Sequence, residues 1–176
     1  MNTSRRRFLQ TTARAGAGAA LAPVALSVAA KRGFADAPNL FNLHGQITSP
    51  VSIASVDIVR AEGELFVRVV SKDGVTGITQ ANERMENLYS MLSGMMVPFF
   101  TGKDARDLEL LVDEVYRVNS HYKYAGMPFW NCVGHVEIAL WDLLGKTAAR
   151  PVHALLGKQV RTEVPVYLSS LTRETT

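Results

Sequence analysis

The sequence predicts an α+β domain, a three-stranded antiparallel meander followed by a helical bundle. Between residues 51 and 80, apolar and β-branched residues come in short runs separated by turn residues. From Glu86 the apolar period becomes that of a helix. Residues 129–149 are then apolar almost all round, as suits a helix buried on most of its sides.

Each element has its own signal. In residues 51–60, Ile53, Val56 and Ile58 mark a first strand, and in residues 64–71 Phe66, Val67, Val69 and Val70 mark a second. Ser71-Lys72-Asp73-Gly74 reads as the turn of the central hairpin, with glycine where a positive φ costs little. Residues 75–80 are the third strand. Leu88, Met91, Leu92 and Met95 place a helix over 86–96, expected to stop near Pro98. From Asp104, apolar residues at Leu108, Leu111, Val112, Val115 and Tyr116 give a one-faced helix. Its far side, with Arg106, Glu109, Asp113 and Arg117, is expected to be solvated. Residues 38–50 read as a polar connector, and residues 120–128 as a Tyr-rich loop.

In the long helix, a rotation of 100° per residue leaves one narrow polar stripe: Asn131, His135, Asp142 and Lys146. Glu137 falls opposite that stripe and needs a donor or a partner charge if it is buried. A short helix over 152–156 closes at Gly157, and residues 163–169 read as a further strand with no later element to pair with. A helix so apolar asks for a larger partner than this sheet, either another domain or another subunit.

The chain has 176 residues, 47% of them hydrophobic and 20% charged, which suits one globular domain with a true core. The net charge of the chain is +3, and its positive excess lies in the first 37 residues. These hold six basic side chains (Arg5, Arg6, Arg7, Arg14, Lys31, Arg32) against Asp36, leaving 13 Lys or Arg and 15 Asp or Glu in the body. The body has no basic run and no interleaving of basic with aromatic residues, which excludes a nucleic-acid partner.

Residues 4–10, Ser-Arg-Arg-Arg-Phe-Leu-Gln, precede a soft Ala- and Gly-rich stretch. This resembles a twin-arginine export signal over residues 1–37, which implies a periplasmic protein. Between Arg14 and Lys31 lie 16 uncharged residues broken by Gly16, Gly18 and Pro23, short of the roughly 20 of a spanning helix. No stable membrane span is expected after processing, with cleavage near 27–30 or 35–37.

Chemistry is sparse in the body. No His, Cys or carboxylate group has metal-ligand spacing, and there is no phosphate-binding or dinucleotide glycine pattern. Cys132, the only cysteine, sits among apolar residues as a buried small hydrophobe. His121, with Tyr122, Lys123 and Tyr124, is a candidate contact surface. The residues alone give an accessory domain and name no catalytic residue.

Residues 139–146 read Ala-Leu-Trp-Asp-Leu-Leu-Gly-Lys, preceded by Glu137 and followed by Pro151-Val152 and Leu155-Leu156-Gly157. This run resembles the end of the capping domain in the mandelate racemase and muconate-lactonizing branch of the enolase superfamily. Val67-Arg68-Val69 with Asp73-Gly74-Val75-Thr76-Gly77 is similar to that family's second and third strands. Gly126-Met127-Pro128-Phe129-Trp130 resembles the lead into the long helix of its sugar-acid dehydratases, and residues 164–169 the first strand of its barrel.

The resemblance implies a capping domain over 51–157, residues 158–176 opening a (β/α) barrel, and a barrel supplied in cis or in trans. That barrel would carry the Lys or His acid–base residues and an essential Mg²⁺ on three carboxylates, all expected beyond Thr176. The substrate would be a small carboxylate such as a sugar acid, and the domain alone would be catalytically incomplete. Two cap loops would close over it: a short first loop at 60–64 and a second at 80–85. Their substrate-facing candidates are Glu62, Gln80, Asn82, Glu83 and Arg84. Trp130, Glu137, Trp141, Asp142 and Lys146 are expected as structural or cap–barrel interface residues. Gly77-Ile78-Thr79-Gln80 departs from the family's usual Gly-x-Gly-Glu, with an amide in place of an acid. The alternative is a free-standing exported binding domain that covers its apolar helix by forming a homo-oligomer.

Overall fold

The computed structural model describes residues 40–118 and 124–167. The export-signal reading, His121, Tyr122 and Lys123 lie outside these residues. Strands β1 (Ile53–Ala61), β2 (Glu64–Ser71) and β3 (Thr76–Ala81) form one antiparallel sheet in the order β1-β2-β3, the expected meander. Val56 lies opposite Val69 and Ile58 opposite Val67. On the outer face Asp57 lies opposite Arg68, and their side chains pair at 3.1 Å.

Both connections are tight. Glu62 (φ 51°) and Gly63 (φ 86°) form the whole link between β1 and β2, a two-residue turn with positive φ at both positions. The first cap loop is thus reduced to a hairpin turn. The second link closes with Gly74 N–H on Ser71 O at 3.0 Å, Gly74 taking φ 83°.

Helix α1 (Leu43–Gln46) lies in the segment read as a polar connector. Leu43, Ile47 and Val51 are nevertheless buried in the common core, and Phe41 meets Trp141 edge-to-face at 5.1 Å. Short apolar positions four residues apart are enough to anchor a segment whose remaining side chains are polar.

Helix α2 (Met85–Met91) continues through a π-helical segment, Leu92–Met96, into α3 (Val97–Phe100). The stop is expected near Pro98; Pro98 itself lies inside the helix, and the helical run ends two residues later at Phe100. The wider π turn ahead of Pro98 accommodates a residue that has no N–H and would crowd the carbonyl four residues earlier. A 3₁₀ turn, Ala105–Asp107, leads into α4 (Leu108–Arg117), whose Leu108, Leu111 and Val115 are buried.

The polar side of α4 and of the 3₁₀ turn before it is not plain solvated surface. Arg106 is largely buried, binding Asp104 and donating to Ile47 O (3.2 Å) and Thr48 O (2.9 Å). Glu109 accepts from the Leu40 N–H at 3.1 Å and the Phe41 N–H at 3.4 Å. The chain before β1 lies on this face and uses its charges.

Helix α5 (Met127–Thr147) packs across β3 and β2, and ten of its residues are buried. Helix α6 (Val152–Leu156) folds back on it and ends at Gly157. Residues 163–167, read as the start of a strand, pair with nothing among the described residues and leave Val166 and Tyr167 about nine-tenths exposed. No helix among the described residues is long and apolar enough to cross a membrane.

Candidate functional site

Strand β3 is an edge strand, so one side of it presents backbone groups that β2 cannot pair. The polar stripe of α5 meets that side. Lys146 Nζ donates to Thr76 O at 3.0 Å, and Asp142 Oδ2 accepts the Ile78 N–H at 2.8 Å. Lys146 and Asp142 also pair with each other at 2.6 Å. Immediately after the strand's last residue, the Asn82 N–H donates to His135 Nε2 at 3.4 Å. Helix and sheet edge are thus laced together by the few polar residues of an apolar helix.

The end of β3 and the turn after it form one wall of an open groove of about 590 Å³. Gln80, Asn82, Glu83, Arg84, Glu64 and His135 line it. Four of the five substrate-facing candidates therefore come together. The fifth, Glu62, sits at the exposed β1–β2 turn and is not part of the groove's lining. Gln80 Nε2 donates to Glu64 Oε2 at 3.2 Å, so the amide in place of the family's acid is held by a carboxylate of the neighbouring strand. Asn82 Oδ1 accepts the Arg84 N–H at 3.0 Å, a local bond that rounds the turn into α2.

The groove holds two carboxylates, two amides, an imidazole and a guanidinium, with the Asn82, Glu83 and Arg84 side chains exposed. Such a set is able to hydrogen-bond hydroxyl and carboxylate groups, and among the described residues its lining includes no cysteine or serine nucleophile. Among the described residues no three of His, Cys, Asp and Glu stand together as a metal site. These residues therefore do not fit a magnesium ion. A second cavity of about 450 Å³, bordered by Met95, Phe99, Val115 and Tyr124, is mainly apolar. Lys103 at its border is engaged by Glu114 at 3.0 Å and lies over the Phe99 ring.

The interface candidates are spread along α5. Trp130 is 43% exposed and stacks on Tyr116 at 5.4 Å, whereas Trp141 is 9% exposed beneath Phe41. Glu137 is half-buried and accepts from Trp141 Nε1 at 3.4 Å, the donor its position requires. Asp142 and Lys146 serve the sheet edge. Glu64 and His135 are groove residues that sequence reasoning passed over. His135 stands on the polar stripe, but only the sheet edge supplies its partner.

Residues 39–157 match the model of the mandelate racemase / muconate lactonizing enzyme, N-terminal domain. A D-mannonate dehydratase from Caulobacter vibrioides is 38% identical over 114 residues, which is 62% of this chain and 28% of that protein. An L-rhamnonate dehydratase from Saccharopolyspora erythraea is 32% identical over 108 residues, 61% of this chain and 27% of that protein. The chain thus spans less than a third of the length of these curated relatives. A mandelate racemase/muconate lactonizing protein from Paracoccus denitrificans PD1222, solved in complex with magnesium, superposes with a TM-score of 0.54 at 27% identity. That match covers 65% of this chain and 32% of the other. With a meander, a long sheet-packed helix and a family match over two thirds of its length, this chain belongs to the mandelate racemase / muconate lactonizing enzyme family of the enolase superfamily, as its N-terminal domain.

Proposed function

We propose that this domain caps the substrate of a Mg²⁺-dependent sugar-acid dehydratase, or of a related lyase or racemase that removes a proton next to a carboxylate. The metal and the acid–base groups belong to a barrel domain. The domain's own task is binding: the amides of Gln80 and Asn82 and the guanidinium of Arg84 hold substrate hydroxyls or carboxylate and keep water out. The gathering of Gln80, Asn82, Glu83 and Arg84 on one groove carries this reading. The two dehydratase relatives and the magnesium-bound structural relative support the reaction class. Export to the periplasm through the twin-arginine leader belongs to the same proposal.

The test is turnover by the protein isolated from its producing cell, offered D-mannonate, L-rhamnonate and other sugar acids with Mg²⁺ or with a chelator. Metal-dependent conversion of a sugar acid to a dehydrated keto acid is expected. A barrel-containing species inert towards every sugar acid would overturn the reading. Recovery of the domain alone as a tight soluble dimer would favour the binding domain, its exposed Met127, Trp130 and Ile138 being the surface to cover.

A further inference from the structure

His135 is the last of three α5 side chains along the open edge of β3, and the one that reaches the groove. Its Nδ1 lies 2.7 Å from the Asn131 carbonyl oxygen. A carbonyl only accepts, so Nδ1 carries the proton. In the neutral ring Nε2 is then an acceptor, and the Asn82 N–H donates to it at 3.4 Å. The two contacts select the same tautomer independently.

Among the described residues, other bonds of this turn run within it. Arg84 N–H reaches Asn82 Oδ1 and Met85 N–H reaches Asn82 O, each at 3.0 Å. They shape the turn, while the imidazole ties it to the long helix. We propose that His135 is a positioning residue. Held as the Nδ1–H tautomer by Asn131, it fixes the backbone at Asn82 and thereby sets where the 80–84 wall of the groove stands. Its effect on substrate rests on the groove reading given above, but the placement itself does not.

Long-range ¹H–¹⁵N correlation on the full chain at mildly alkaline pH reads the tautomer, and amide hydrogen exchange reads the Asn82 N–H. A protonated Nδ1, a bare Nε2 and a protected Asn82 amide are expected. His135→Phe should speed exchange at Asn82 about five-fold, the size of one net hydrogen bond. His135→Gln, which offers an acceptor oxygen near the Nε2 position, should restore most of the protection. An Nε2–H tautomer, or unchanged exchange in His135→Phe, would overturn the inference. If the Phe variant does not fold, the wild-type tautomer decides alone. Loss of protection at Asn82 with no change of KM in the barrel-containing enzyme would overturn the groove reading and leave the positioning role standing.

Discussion

Gly77 lies directly on the backbone of Ala139: a β-carbon at position 77 would stand 2.0 Å from the Ala139 carbonyl oxygen and 2.6 Å from the Leu143 nitrogen. The obstacle is helix backbone, which cannot rotate aside as a side chain can. Close contact of β3 with α5 therefore depends on glycine at this one place. Gly77→Ala should lower domain stability by about 3 kcal/mol, mainly through strain between sheet and helix. Urea unfolding checks it, and an unchanged midpoint would show that the two elements are not so closely packed.

Asp142 binds the Ile78 N–H and Lys146 at once. Asp142→Ala takes the acceptor from the Ile78 amide and leaves Lys146 only the Thr76 carbonyl, at a cost of about 1–2 kcal/mol in this partly exposed setting. Asp142→Asn keeps a carbonyl oxygen for the amide and should recover part of the loss. Paired denaturation curves of the two variants distinguish the backbone contact from the charge pair.

Arg106 and Asp104 join the chain before β1 to the start of α4. Burial raises the Asp104 carboxyl. The Arg106 side chain, the Arg106 and Val51 N–H groups and the Arg106 charge outweigh it and hold that carboxyl below its ordinary value. Arg106 is raised in turn by its bond to Asp104. With the folded pKa below an unfolded value of about 3.9, the stabilisation is present above about pH 4. It is lost as pH falls through the folded value. Asp104→Asn should cost about 1–3 kcal/mol at neutral pH, and its gap to wild type should narrow in acid. A gap independent of pH would contradict the linkage.

Burial pushes the Cys132 thiol up to about 11. The unfolded thiol titrates near 8.5, so its stabilising contribution is complete below about pH 8.5 and lost as pH rises towards the folded value. A thiol reagent at neutral pH should modify Cys132 only as the domain opens, at a rate that follows denaturant concentration. Immediate modification of the native protein would contradict its burial.

Much of this was legible in the sequence because the signals are local. The β-branched alternation and Gly74 define the meander, and Gln80, Asn82, Glu83 and Arg84 meet at the groove because they are neighbours in the chain. What was not legible depends on partners far along the chain. Arg106 occupies a polar helix position, but its acceptors Ile47 and Thr48 lie 59 and 58 residues earlier. His135 meets Asn82 across 53 residues, and Glu64 meets Gln80 across 16. The helix through Pro98 needs a π turn, which apolar spacing at a 3.6-residue period does not reveal.

The proposed role of the 80–84 wall is to face a substrate. Its most direct test is steady-state kinetics on sugar acids for the barrel-containing enzyme with Asn82→Ala or Arg84→Ala. If these side chains bind substrate, KM should rise about ten-fold for each variant with a smaller change in kcat. Variants that match wild type in both constants would contradict it.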